Sequence, residues 1–317
     1  MAQSLEPLVQ AFLLAKKLEL RRATSFRDLT YFLQRVCAGL VSQYPDLNFE
    51  QLTSSQLRQL IHWWEGGASG FTTNRATIKK MVMYLKYFCR WCREEGLIEI
   101  NPAEKLRYLS GCHYDKTPRI QRQDLDRFNR VLQGDGYWQI TLRAIVAVLL
   151  DGAVRASEVC SLELSDVDLP NKRITIRDVE KKRDKTSAMF GIGEKTRSAL
   201  ADYLLARARR ARPDETRLFV NFAGTALKPD NLHQKLEYFS KKAGLKSHIT
   251  AQQFRVTAAV EAALNGSDAF QVQALLRHED IAMTLRYMRL AQEEKDAMRC
   301  SKDSLADKLI CVEQQNI

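Results

Sequence analysis

Four stretches in the first third of the chain place apolar residues every three to four positions, and this period limits what the chain can fold into. They are LEPLVQAFLLAKKL, SFRDLTYFLQRVCAGLVSQ, TSSQLRQLIHWWEGG and TTNRATIKKMVMYLKYFCRWCREEG. A 3.6-residue repeat buries one stripe of a helix and leaves the rest to solvent, so residues 1–108 predict a helical domain. Gly66, Gly67, Gly70 and Gly96 punctuate its segments. SGCHYDKTPRI has turn residues and a proline but no period, so residues 109–118 read as an interdomain linker. Helical patterns resume with RQDLDRFNRVLQ and YWQITLRAIVAVLLDGA. RITIRDV (173–179) and SAMFGI (187–192) then alternate as two strands about a charged turn. Helices return at EKTRSALADYLLARARRA, at NLHQKLEYFSKKAG and beyond. The expected fold is mainly α with a small antiparallel β-sheet, in two domains, 1–108 and 119–292. A tail, 293–317, carries a short apolar stripe of Leu305, Leu309 and Val312 that needs a docking surface, such as a neighbouring protomer.

Composition narrows the class. The 317 residues are 45% hydrophobic, enough for two cores, and no apolar run is long enough to cross a bilayer. MAQSLEPLVQ lacks the basic-then-apolar order of a signal peptide. The expectation is a soluble cytoplasmic protein with no membrane partner. Seven scattered cysteines fit free thiols in a reducing compartment. Cys89 and Cys92 form a C-x-x-C inside a helical pattern, but no second pair completes a four-ligand zinc site, so no metal is expected. Net charge is +11, divided almost evenly between residues 1–110 and the rest. Two basic domains favour nucleic acid as partner, since lysine and arginine neutralise phosphates.

The segment 73–95 sharpens that expectation. On a helical wheel Arg75, Lys79, Lys86 and Arg90 fall within about 60° of one another, nearly opposite Tyr84, Tyr87, Phe88 and Trp91. One face packs. The other is either an ordinary solvated face or a stripe that lies along DNA.

Four further segments carry residue types suited to chemistry on an anion. In LLDGAVRASEVCSL, Gly152 breaks an apolar helix, Arg155 enters the next one, and Glu158 follows three residues later on the same face. The two are either a structural pair or an arginine held by a carboxylate and aimed at a phosphate. In DVEKKRDKTSAMF, Lys181, Lys182, Arg183 and Lys185 crowd a turn. In HITAQQFRVTAAV, Thr250 and Gln253 form a capping box, with Gln252 and Arg255 on one face near the helix start, where an anion is favoured. In HEDIAMTLRY, Asp280 is placed to cap a helix. Ile281, Thr284, Leu285 and Met288 form its expected buried stripe. Tyr287 then sits roughly 110° from the middle of that stripe and reaches out of the core.

Together these motifs resemble the tyrosine recombinases of the phage integrase family, the group of the Cre- and Xer-like site-specific recombinases. GAVRASE is similar to the family's G-x-R-x-S-E, QQFR occupies its H-x-x-R, and HEDIAMTLRY supplies His278 with Tyr287 nine residues on. The resemblance covers nearly the whole chain, with 1–108 similar to the family's core-binding, DNA-contacting domain and 119–292 to its catalytic domain. It implies Tyr287 as nucleophile on a DNA phosphodiester, leaving a 3′-phosphotyrosine and a free 5′-hydroxyl. Arg155 and Arg255 are then the arginines that stabilise the transition state, Glu158 orients Arg155, and His278 bonds a phosphate oxygen. Lys182 or Lys185 protonates the leaving oxygen.

The covalent link stores the bond energy, so the resemblance implies no cofactor. The implied partners are double-stranded DNA with specific recombination sites and a homotetramer on two such sites, with room for an accessory DNA-binding protein. The family implies a clamp around the duplex, and a nucleoid-associated role. Gln252 departs from the pattern, standing where the family has histidine; it can donate a hydrogen bond but cannot exchange a proton near neutral pH. Two other readings stay open: strand relaxation in the manner of type IB topoisomerases, and a catalytically lapsed architectural protein.

Overall fold

A computed structural model of the chain describes residues 5–19, 23–45, 47, 49–66, 75–107, 117–177 and 187–302. It divides into two compact units, one within 1–116 and one within 117–317. No helix among the described residues is long and apolar enough to cross a membrane.

The first unit holds α1 (Leu5–Glu19), α2 (Ala23–Gln43), α3 (Ser54–Glu65) and α4 (Arg75–Glu94), the four helices that the apolar period predicts. Aromatic rings meet inside its mainly aliphatic core. Phe12 lies 5.3 Å from Phe88 and from Trp91, ring centre to ring centre, and Phe49 adds to Phe88 from a short 3-10 turn. Edge-on and tilted contacts of this kind suit the ring quadrupoles. Thr53 and Gln56 cap the start of α3 reciprocally. Cys89 and Cys92 are both buried in this core. Burial pushes the Cys92 thiol up to about 12 and the Cys89 thiol higher still, so both stay protonated.

The second unit is helical around a small sheet. α5 (Arg122–Val131), α6 (Tyr137–Gly152) and α7 (Ala156–Ser161) precede the strands β1 (Val167–Asp168), β2 (Arg173–Ile176) and β3 (Ala188–Gly191). The helices α8 (Glu194–Ala208), α9 (Pro229–Lys242), α10 (Ala251–Leu264), α11 (Ala269–Leu276) and α12 (Ile281–Lys302) follow. The strands are ordered β1-β2-β3, antiparallel throughout, with Ile174 opposite both Val167 and Phe190. β2 and β3 answer to the two expected strands. β1 was not anticipated, because two residues are too few to show alternation. α12 runs unbroken through Lys302, past position 293 where the tail was set. Leu305, Leu309 and Val312 lie outside the described residues.

α6 is the spine of this unit. Leu142, Ala144, Ile145, Val146, Val148 and Leu149 are all buried, as befits a helix apolar on nearly every side. Two mostly buried arginines close loops around it by donating to backbone carbonyls. Arg143 Nη1 donates to Gly134 O at 2.8 Å and to Leu132 O. Arg207, 7% exposed, donates from Nε to Leu218 O and from Nη2 to Glu215 O and Arg217 O. Such carbonyls must be satisfied once taken from water. The chain enters the unit along α10 and α12. The Ile120 N–H donates to Thr257 Oγ1 at 2.9 Å, and Arg119 bridges Glu261 and Glu294, each at 2.7 Å.

Gly152, the last residue of α6, lies under the Phe190 ring of β3. A Cβ built there falls 2.4 Å from Cζ and within 2.8 Å of two further ring carbons. The helix end and the strand therefore touch directly, and the turn leading to Arg155 is set by that contact. Gly152→Ala forces the ring out of its seat. We expect a loss of about 1–3 kcal/mol in chemical denaturation, the usual cost of overpacking. Adding Phe190→Leu should recover part of it. An alanine variant as stable as the native chain would show that the ring yields freely.

Candidate active site

Two chain reversals and one helix start in the second unit converge. After Gly152, Ala153 adopts a left-handed conformation (φ 45°), which ends α6 and turns the chain sharply. Arg155 then becomes the N-cap of α7, in extended backbone, rather than sharing a helix face with Glu158 as expected. The pair still forms, by a different route. Glu158 reaches back so that one oxygen accepts the Arg155 backbone N–H at 2.8 Å and the other accepts Arg155 Nη1 at 2.6 Å. The Arg155 side chain remains 45% exposed and Glu158 18%. Burial works to raise the Glu158 carboxyl, but the Arg155 N–H, the Arg277 charge and the Arg155 guanidinium outweigh it, and the group lies below the usual carboxylate range.

α10 begins with the expected capping box: the Gln253 N–H donates to Thr250 Oγ1 and the Thr250 N–H to Gln253 Oε1. Gln252, in its first turn, is exposed, and its amide makes no hydrogen bond among the described residues. Arg255 points the other way. It is 2% exposed, and its two Nη groups donate to Ala153 O and Leu276 O. The guanidinium thus ties the end of α6 to the end of α11. Burial pushes its pKa down to about 10, the Arg155 and Arg277 charges act in the same direction, and it stays protonated at neutral pH.

α11 ends at Leu276, and Arg277 caps it in a left-handed conformation (φ 54°). This arginine was missed by the sequence reading. Its Nη1 donates to Gly152 O and Leu275 O, each at 3.0 Å, and its Nη2 meets Glu158 Oε2 at 3.0 Å. A helix-end residue of this conformation is ordinarily glycine, and neither period nor composition marks an arginine that adopts it.

His278 follows at once. Its Nδ1 lies 3.1 Å from Thr284 Oγ1, and its ring stacks on that of Tyr287, with centres 6.1 Å apart and planes at 29°. Burial pushes the imidazole down to about 4, with the charges of Arg255, Arg155 and Arg277 adding to the effect, so it is neutral at neutral pH. Asp280 caps α12 as expected, accepting from the Ala282 N–H at 2.9 Å.

The buried face of α12 differs from the expectation. Leu285 is 40% exposed and Ile281 half-buried, whereas Tyr287 is only 8% exposed. Among its described side chains Thr284, Tyr287 and Ala291 are buried, with Met288 partly buried beside them. Tyr287 is the centre of the stripe, not its neighbour. The reason lies in α10, whose Ala258, Ala259 and Ala263 belong to the same cluster and leave room for a ring. The Tyr287 hydroxyl makes no hydrogen bond among the described residues.

Arg155, Glu158, Arg255, His278 and Tyr287 are therefore brought together, with Arg277 added. Lys182 and Lys185 lie outside the described residues. The four α4 residues belong to the first unit. The Arg75 side chain is outside the described set, Arg90 is exposed, and Lys79 lines a cleft with Arg58, Lys105 and Arg107. Lys86 is committed in part, donating to Leu106 O at 2.7 Å. A neutral imidazole and a phenol among three guanidinium groups suit an oxyanion, with fixed charge where negative charge develops.

Comparison with known proteins agrees. The phage integrase family matches residues 118–294. The tyrosine recombinase XerC of Thermodesulfovibrio yellowstonii is 27% identical over 223 residues, covering 68% of this chain and 71% of that protein. Among solved structures, the site-specific recombinase XerH bound to its palindromic difH substrate superposes with a TM-score of 0.71 at 18% identity, covering 88% of this chain and 80% of that one. A lambda integrase dimer bound to a COC′ core site gives 0.68 at 16% identity, covering 90% and 95%. These last two show a shared fold. The chain belongs to the phage integrase family and is a tyrosine site-specific recombinase.

Proposed function

We propose that this recombinase cuts and rejoins DNA through a 3′-phosphotyrosine on Tyr287. The observation that carries this reading is the placement of Arg155, Arg255 and His278 around that phenol in one unit. The Tyr287 oxygen attacks phosphorus and gives up its proton to solvent, and the bond to the 5′-oxygen breaks. Lys182 or Lys185 protonates that leaving oxygen. Arg155 holds a non-bridging oxygen as charge builds on it, the buried Arg255 stabilises that charge from behind while it fixes the helix ends, and Glu158 keeps Arg155 in place. His278, held neutral, hydrogen-bonds the phosphate. Rejoining reverses each step on a new 5′-hydroxyl, with no cofactor.

Residues 1–108 act as the core-binding domain, with Arg75, Lys79 and Arg90 as its DNA contacts and Lys86 holding the segment after α4. Residues 119–292 act as the catalytic domain. The assembly is a homotetramer on two recombination sites, as in the lambda integrase tetramer on a Holliday junction, and it serves integration, excision or resolution of a mobile element or replicon in the nucleoid. An accessory DNA-binding protein completes it where the site demands one. Gln252 favours one rival, a lapsed protein that binds DNA without cutting it.

A nicked duplex that releases its cut end, selected from sheared DNA by covalent capture under detergent, separates these readings. The native chain should become attached, and Tyr287→Phe should bind the same duplex without attachment. A Phe variant that still attaches would make another residue the nucleophile.

The two arginines should differ. Arg155→Ala should slow attachment by orders of magnitude while affinity changes less than about tenfold, about 1.4 kcal/mol. Arg255→Ala should also destabilise the fold, on the order of 3 kcal/mol, because Leu276 O loses its side-chain donor and Ala153 O keeps only the long one from Arg277 at 3.4 Å. Equal melting temperatures for the two variants would contradict this division.

At Gln252 the native chain should cleave, Gln252→Ala should be slower, and Gln252→His equal or faster. If the native chain is inert and Gln252→His attaches, the lapsed reading holds.

A further inference from the structure

Arg277 has a left-handed backbone that a glycine would adopt without strain, yet it carries a long cation of which only 17% is exposed. Its fork is spent in two directions. Nη1 holds Gly152 O and Leu275 O, so the ends of α6 and α11 are joined a second time beside Arg255. Nη2 holds the same Glu158 oxygen that accepts the Arg155 backbone N–H. We propose that Arg277 is a positioning residue of the active site, which acts through Glu158 to set how Arg155 presents itself to the phosphate. This rests on the phosphotyrosine reading above.

Three guanidinium groups face one carboxylate, and Glu158 divides its two oxygens between two of them. Without Arg277 the carboxylate is left to Arg155 alone. It then closes on that guanidinium more tightly, cancels more of its charge, and draws it from the exposed position where an anion arrives. With Arg277 present, Glu158 anchors Arg155 by one oxygen and the backbone N–H, and the surplus positive charge stays in the site. Arg277 itself, facing carbonyls and Glu158, has no need to touch DNA.

Arg277→Gly suits the backbone but removes the donors to Gly152 O and Leu275 O, so its melting temperature is read beside the rate. The readout is single-turnover attachment to a captured nicked duplex, beside affinity for that duplex. Arg277→Gly should attach at least about tenfold more slowly with affinity within about twofold. Arg277→Lys, which restores the charge but not the fork, should regain part of the rate. In a Glu158→Gln background the glycine substitution should have little further effect, since the residue acts through that carboxylate. Attachment at the native rate by Arg277→Gly overturns the proposal. So does a full tenfold loss on top of Glu158→Gln, or a parallel loss of rate and affinity. If the native chain attaches to no duplex, the phosphotyrosine reading fails and takes this one with it. If it attaches and the glycine variant matches it, only the role of Arg277 falls.

Discussion

The buried guanidinium of Arg255 is the constraint on which the second unit depends. It stands where two helices end, and donates to the last carbonyls of each, Ala153 O and Leu276 O. Helix C-termini leave such acceptors unsatisfied and carry partial negative charge, so a cation there is favoured twice. Because those two helix ends also launch Arg155 and His278, this side chain, with Arg277 as a second tie, sets their distance apart. The site is thus assembled as a by-product of satisfying backbone groups, and a change at Arg255 disturbs folding and chemistry together.

The same device recurs. Arg143, Arg207, Arg255 and Arg277 all spend guanidinium donors on main-chain carbonyls. Arginine suits this use because it keeps its charge when buried and presents several donors in a plane. Part of the basic excess that pointed to nucleic acid is therefore internal. Net charge overstates the cations available to a partner, and Lys86, drawn to Leu106 O, shows the same on a face that the helical wheel counted as free.

Much was legible in the sequence. The four helices of the first unit follow from one period, and the Thr250–Gln253 cap from one tetrapeptide. The motifs around Arg155, Arg255 and Tyr287 were found by order and spacing. What escaped depends on partners distant in the chain. The face of α12 is not legible from its large apolar residues, because the helix beneath it is lined by Ala258, Ala259 and Ala263 and accepts a tyrosine ring. Arg277 was missed because its importance lies in a backbone angle and in contacts more than a hundred residues away in sequence.

The carbonyl-bound arginines have a consequence for ionic strength. Exposed lysines and arginines act on phosphates through long-range fields, which salt screens within about 10 Å at 0.1 M. Arg207 and Arg255 meet their acceptors in direct contact, away from solvent, where mobile ions do not come between them. One residue type therefore answers salt in two ways within one chain. Concentrated salt strips the protein from a duplex while the helix ends that build the candidate site stay clasped, so release from DNA and loss of the folded site are separate events.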